Sequence, residues 1–282
     1  MSRTPNRTIR WLTYAGLLLA SVVALYPVMW VVTMALSPGQ GFNVGVIPIP
    51  TTVSLDNIRE VVSTSDADGW LFGRQLFNSL VVSSATALVG LVFSTSAAYA
   101  LSRFDFPGKE RGLAAFLVTQ MFPGVVMMIP LYLILDLLNL LDNLGGLVLV
   151  YATTAIPFSV FTLKGYFDTI PRELEEAAML DGASRIQTFF TVILPLVKPA
   201  IAVTGLFSFM TAWNEFILAA TLISDPRALT LPVVLQRYVD DYGTEWGLFA
   251  AGALIVSLPV VLLFFALQKH FVAGLTAGSV KG

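Results

Sequence analysis

Thr169–Pro195, TIPRELEEAAMLDGASRIQTFFTVILP, is a charged, helix-forming stretch set in a chain otherwise made of long apolar runs. Thr169 is placed to cap a helix, with Pro171 in its first turn, where a missing N–H costs nothing. Glu173, Glu175 and Glu176 put negative charge at the positive end of that helix dipole. Leu174, Ala177 and Ala178, spaced i, i+3, i+4, form one small apolar face. Gly182 can adopt the left-handed conformation that stops a helix. Ser184 and Gln187 then spell a capping box that starts a second helix, with Phe189, Phe190, Val192 and Ile193 leading to Pro195. The expectation is helix, turn, helix, lying in water against a membrane surface. Two uses fit. A docking element would present small Ala and Gly to another backbone and Glu176 to a partner cation. A hairpin resting on its own bundle would carry bulkier apolar residues than Ala at 177 and 178.

Outside this stretch the chain reads as membrane protein. Of its 282 residues, 56% are hydrophobic and only 12% charged, roughly half of the ~25% charge of a soluble surface. Six nearly uncharged runs stand out: Trp11–Leu36, Gln75–Leu101, Gly112–Leu135, Leu144–Leu163, Pro199–Ile223 and Gly247–Gln268. Each reaches the ~20 residues a helix needs to cross ~30 Å of hydrocarbon, and none alternates as a barrel strand would. The predicted fold class is all-α, a polytopic protein of six transmembrane helices. Trp11–Leu36 is too long for a signal-peptide core and is read as a retained span. Twelve of the sixteen Lys and Arg fall in the N-terminal tail, the second and fourth connections and the C-terminal tail. That asymmetry predicts cytoplasmic termini and a cytoplasmic Thr169–Pro195.

The outward loop 37–74 opens on Pro and Gly, then carries Leu55, Ile58 and Val62 near helical spacing, so a short surface helix is expected there. Span two is rich in Ser, Ala and Gly, the residues that let helices pack closely in lipid, and is expected inside the bundle. Pro27, Pro123, Pro130, Pro157 and Pro259 lie within spans and should bend them.

Several chemistries are excluded. One histidine and no cysteine leave no metal cluster or Ser-His-Asp triad, and no phosphate-binding loop is present. A net charge of −2 argues against nucleic acid. The chain is therefore not expected to be an enzyme, nor to hold a cofactor or metal. Inside the spans the clearest ionisable group is Glu215, beside Asn214. A carboxylate there should face the bundle interior or a wet cavity. It is either a residue lining the translocation path, or gating it, or a hydrogen-bonded clamp between helices. A proton-coupled carrier built on Glu215 is the alternative reading of the whole chain.

The motif Glu176-Ala177-Ala178, with Gly182 six residues on and Leu194-Pro195 beyond, resembles the EAA loop of ABC importer permeases. Tyr99-Ala100, Arg103 to Lys109 (RFDFPGK), Gln120-Met121-Phe122-Pro123, Lys164 to Phe167 (KGYF) and the tail Gly274 to Gly282 resemble maltose-type carbohydrate permeases. The resemblance implies the type I ABC importer permease fold. Its expected division is 1–74 for the first span and outward loop, 75–268 for the permease core, and 269–282 for a cytoplasmic tail. It implies a second, MalF-like permease, two cytoplasmic ATPase subunits that use ATP and Mg, and an extracytoplasmic sugar-binding protein, all around a bilayer. It assigns ATPase coupling to Glu176, Ala177, Ala178, Asp181, Gly182, Leu194 and Pro195. Contact with the ATPase dimer falls to Gly274, Thr276, Gly278, Lys281 and Gly282. The fifth connection, with Tyr238, Asp240, Asp241 and Tyr242, would meet the binding protein. The sugar implied is maltose, a maltodextrin or a disaccharide such as trehalose.

Overall fold

Hydrocarbon offers backbone groups no hydrogen-bond partner, so a chain of uncharged runs must satisfy them within helices. The computed structural model describes residues 7–42, 47–240 and 243–278, and side chains for all of these except 240 and 270–278. The elements are α1 (Arg7–Leu36), α2 (Asp56–Ser63), α3 (Leu71–Arg103), α4 (Lys109–Met121), α5 (Gly124–Leu137) and α6 (Leu144–Asp168). There follow α7 (Glu173–Leu180), α8 (Arg185–Thr188), a π-helical turn (Phe189–Ile193), α9 (Leu194–Leu196) and α10 (Lys198–Trp213). The chain continues through α11 (Ile217–Leu222), α12 (Leu231–Gln236), a two-strand hairpin of β1 (Val239–Asp240) and β2 (Gly243–Thr244), and α13 (Trp246–Gly278).

Four helices, α1, α3, α6 and α13, are by themselves long and apolar enough to cross a membrane, and six spans result if each bent helix pair counts as one. The bends correct the picture of six simple rods. α4 and α5 meet at 104°, because Phe122 and Pro123 take extended backbone between them. Pro123 therefore breaks a span, whereas Pro27, Pro130, Pro157 and Pro259 are carried inside helices. The segment Arg185–Leu196 meets α10 at 77°. The run expected to continue to Ile223 stops at Trp213 and resumes as α11.

The described chain forms two compact units, one of residues 1–72 with 234–258 and one of 73–233 with 259–282. In the first, Gln40 and Asn57 tie loop to helix. The Gln40 side chain accepts from the Leu248 amide (3.0 Å) and donates to Asn57 (2.9 Å), while Asn57 donates to the Ser37 carbonyl (2.9 Å). The expected surface helix exists as α2. Its inward face is Asn57 and Val61, however, and Leu55 is exposed. The buried amide of Asn57 has three hydrogen bonds to make and so sets the rotation of the helix, which hydropathy spacing does not register.

The second unit contains the core. α3 presents one stripe, Gln75, Ser79, Ser83, Thr86, Ser94 and Ala98, all buried, while Phe77, Leu88 and Val92 on its other side are exposed. Span two is thus interior along a stripe and not all round. The small stripe lets α10 approach: a Cβ on Gly205 would sit 2.9 Å from Leu91, and one on Gly90 3.7 Å from Ser208. At one end, Gln75 and Asn78 donate to the carbonyls of Pro226 and Arg227 (2.9 and 2.7 Å). At the other end, Ala98, Leu163, Phe167, Ile193, Val197 and Ala200 form a buried cluster that seats the charged stretch.

Candidate functional site

Residues 169–195 fold as a helix, a left-handed turn and a second helix. Gly182 has φ +90°, and the Gly182 and Ala183 amides donate back to Met179 and Ala178 carbonyls, which ends α7. Ser184 and Gln187 make both halves of the capping box. Two details differ from expectation. Thr169 closes α6, its hydroxyl donating to the Tyr166 carbonyl (2.7 Å), because α6 runs on through Lys164 and Asp168, an i, i+4 ion pair of 2.6 Å. Helix α7 starts at Glu173, two residues beyond Pro171, without a side-chain cap.

The two halves of the stretch face different ways. The second half is anchored, since Ile193 is buried and Phe189, Val192 and Leu194 pack on the Phe167 cluster. The first half is presented. Glu176, Ala177, Asp181 and Gly182 are exposed and Ala178 is half-buried, while Pro195, at the far end of the anchored half, is exposed as well. Leu180 is 88% and Ile186 72% exposed, so the turn carries large apolar side chains outward beside charge.

Between the halves lies a cleft of about 250 Å³ lined by Tyr99, Arg103, Phe104, Arg172, Glu175 and Arg185 among others. Here the structure adds what residue patterns did not show. Of the three glutamates at the start of α7, Glu175 turns inward. It accepts from the Tyr99 hydroxyl (2.9 Å) and forms an ion pair with Arg103, whose side chain is 7% exposed against 12% for Glu175. Arg103 also donates to the Ile170 carbonyl (3.0 Å), and Arg172 donates to the Ser102 carbonyl (3.3 Å). The Ser102 hydroxyl donates to Asp168 (2.6 Å). Tyr99 lies against Phe189 and Phe167, with ring centroids 4.7 and 5.6 Å away. The end of α3 is therefore fastened to the start of α7 by a largely buried charge pair, and to the second half by the tilted contact of Tyr99 with Phe189. Glu175 was legible only as a dipole partner, because neighbouring glutamates on one helical turn differ in direction and not in chemistry. The Tyr99-to-Lys109 motif was the available signal. In that motif Asp105 and Lys109 pair at 3.1 Å, and the ammonium holds the exposed Asp105 carboxyl below its usual range.

Glu215 sits in the break between α10 and α11. Its carboxylate accepts from the Leu218 and Ala219 amides (2.9 and 3.0 Å) and from the Tyr151 hydroxyl (2.8 Å). It caps the first turn of α11 and ties it to α6. Asn214 is exposed, its side-chain amide donating to the Met210 carbonyl (2.9 Å). A helix that restarts inside a membrane leaves amides unpaired, and the carboxylate meets that need. A Glu215→Gln chain loses one acceptor and aims an NH₂ group at a backbone N–H. The expected result is a protein less stable by about 1–3 kcal/mol, read as a lower melting temperature. An unchanged melting temperature would mean that the carboxylate does not hold the break between α10 and α11 together.

In the fifth connection, Tyr238 is half-buried at the base of the hairpin, and its carbonyl accepts from the Glu245 amide (2.9 Å). Burial pushes its phenol pKa up. Asp240 pairs with Gly243 through its backbone, while Asp241 and Tyr242 lie outside the described residues. Gly274, Thr276 and Gly278 continue α13 in their backbone, and Lys281 and Gly282 also fall outside the described part.

Residues 90–276 match the family of binding-protein-dependent transport system inner membrane components. The chain is 36% identical over 274 residues to the trehalose transport system permease protein SugB of Mycobacterium tuberculosis, covering 96% of this chain and 98% of that protein. It is 37% identical over 280 residues to the galactooligosaccharides transport system permease protein GanQ of Bacillus subtilis, with 98% of each covered. It is 37% identical over 285 residues to the maltose/maltodextrin transport system permease protein MalG of Salmonella typhimurium, covering 96% and 95%. Among solved structures, a subunit of a bacterial ABC transporter involved in the import of alginate superposes with a TM-score of 0.78 at 25% identity, covering 96% of this chain and all of that one. The bent helices, the buried-stripe α3 and the helix–turn–helix are thus those of a type I ABC importer permease, a subunit without catalytic chemistry of its own. This chain belongs to the family of binding-protein-dependent transport system inner membrane components.

Proposed function

We propose that the chain forms half of the path by which an ABC importer takes up a neutral di- or oligosaccharide of the maltose, maltodextrin or trehalose kind. The relatives named for trehalose, galactooligosaccharides and maltose support the substrate class. The observation that carries the mechanism is the two-sidedness of residues 169–195. One face is locked to α3 and α6 through Glu175, Arg103 and Phe167, and the other presents Glu176, Ala177, Gly182 and Leu180. On this reading the presented face docks in a cleft of a cytoplasmic ATPase, which handles the ATP and Mg, and Leu194 and Pro195 carry the movement into α10. Both termini face the cytoplasm, as the lysine and arginine distribution supports. A second, MalF-like permease completes the path, and the residues from Gly274 to Gly282 follow the ATPase dimer. The fifth connection, with Tyr238, Asp240, Asp241 and Tyr242, meets an extracytoplasmic sugar-binding protein. A stand-alone proton carrier on Glu215 has no support, since the family works with separate subunits.

The test is uptake into vesicles holding this chain with its partner permease and ATPases, against trehalose, maltose, maltotriose and galactobiose, with and without the binding protein. Uptake of at least one glucose-based sugar, dependent on both ATP and the binding protein, is expected. Uptake driven by a proton gradient without ATP would overturn the reading.

A further inference from the structure

Three helices of the second unit, α4, α6 and α10, bound a cavity of about 370 Å³ lined by Gln120, Thr154, Phe158, Phe207 and Thr211 among others. That volume lies within the ~300–1,000 Å³ of small-molecule sites. Gln120 is roughly 16 Å along α4 from Lys109 and Thr154 about 15 Å along α6 from Leu144, at 1.5 Å per residue. Both are near the middle of ~30 Å of hydrocarbon.

Gln120, Thr154 and Thr211 are exposed on this face, and polar groups at such depth are not left to lipid. The backbone is broken just beyond each of two of these helices, at Phe122–Pro123 after α4 and at Asn214–Phe216 after α10. Irregular backbone at membrane depth persists only where protein covers it or a wet cavity adjoins it.

The chemistry of the lining narrows the occupant. Among the described residues no charged side chain lines the cavity, so it suits a neutral solute. Phe158 and Phe207, 49% and 51% exposed, form an angled wall with ring centroids 5.6 Å apart and planes at 60°. A pyranose has an apolar C–H face, polarised so that it is drawn to the electron-rich face of an aromatic ring, and a rim of hydroxyls. For that rim the cavity offers acceptors. Gln120 spends an N–H on the Thr154 carbonyl (3.2 Å) and keeps its Oε1 free for a hydroxyl donor. Thr211 donates to the Phe207 carbonyl (2.9 Å) and keeps oxygen lone pairs.

We propose that this face is a transmembrane subsite for one ring of an uncharged sugar, contributed by this chain itself. The inference rests on the sugar-import reading and adds where in this subunit the solute is touched, away from the Glu215 cap.

The chain contains no cysteine, so introduced thiols can be read without background from it. In the reconstituted complex, Phe158→Cys and Thr211→Cys are treated with a charged, membrane-impermeant thiol reagent, and labelling of this chain is followed by mass. Both are expected to react, and to react several-fold more slowly with saturating maltose, trehalose or maltotriose, whichever the unmodified complex transports. Phe158→Leu and Phe207→Leu, which keep apolar bulk and remove the ring, are expected to raise the uptake KM about tenfold, as the loss of ~1.4 kcal/mol would. Failure of both cysteines to react would place this face against protein or lipid and overturn the subsite. Labelling without sugar protection, with KM unmoved in the leucine variants, would overturn it too. An unmodified complex that transports none of these sugars would instead refute the sugar reading on which the subsite rests.

Discussion

Replacing Arg103 by alanine is expected to abolish sugar uptake while leaving ATP hydrolysis running, and Glu175→Ala should do the same. The side chains of Arg103 and Glu175 are 7% and 12% exposed, largely withdrawn from water, and Tyr99 joins them. Removing one member of a buried ion pair costs about 3–5 kcal/mol, because the other charge is stranded away from water. The chain relieves that by letting the end of α3 and the start of α7 part, which disconnects the presented face from the spans. If only ~3 kcal/mol of the coupling passes through this contact, the uptake rate per ATP hydrolysed falls about 100-fold. The measurement is the ratio of sugar transported to ATP hydrolysed in proteoliposomes, with complex assembly checked by co-purification of the ATPase. The exchange Arg103→Glu with Glu175→Arg restores the pair in reverse and should recover part of the ratio. A single substitution that leaves the ratio at its normal value would show that movement reaches the spans by another route, such as the Phe189 and Ile193 packing.

Gly182→Val should be nearly as damaging by a different physical route, failing at docking. The residue sits at φ +90° with open space where a Cβ would point, so backbone strain alone decides the outcome. A β-branched residue is a genuine outlier there, and the left-handed conformation costs roughly 1–2 kcal/mol for an L-residue. The turn is expected to reopen and α8 to shift with its Ser184 cap. Glu176→Lys leaves the turn intact and reverses the charge on the presented face. Both variants should remain in the membrane with the partner permease but lose ATPase binding and uptake together. Pull-down of the ATPase separates this from the Arg103 case, where binding persists. Normal ATPase binding by both Gly182→Val and Glu176→Lys would place the docking surface elsewhere.

Much of the architecture could be read from residues because its signals are local. Uncharged runs of membrane length, the Gly182 stop, the Ser184–Gln187 box and the Glu176-Ala177-Ala178 motif each need only neighbouring residues to act. Less legible were the interruptions. Hydropathy averages over a window, so Phe122-Pro123 and Asn214-Glu215 vanish into runs that look continuous. The structure breaks there because Pro123 removes a backbone donor and because Glu215 can serve amides that a broken helix exposes. Likewise Thr169 looked like a helix start and proved a helix end, since α6 runs as far as the Lys164–Asp168 pair and Thr169 closes it.

The stretch Thr169–Pro195 shows where the boundary falls. By itself the sequence determined that this segment is a helix–turn–helix and that it belongs to a binding-protein-dependent permease, since caps, a glycine stop and motif spacing act along the chain. Only the tertiary structure decided which of three adjacent glutamates turns inward. It was also the structure that brought Arg103 and Tyr99, some seventy residues earlier, against Glu175, and that collected Gln120, Phe158 and Phe207 around one cavity. Burial makes the first arrangement strong, because charges largely withdrawn from water are held by their partners rather than by solvent. The meeting of three helices makes the second, because a cavity exists only between surfaces that separate parts of the chain bring together.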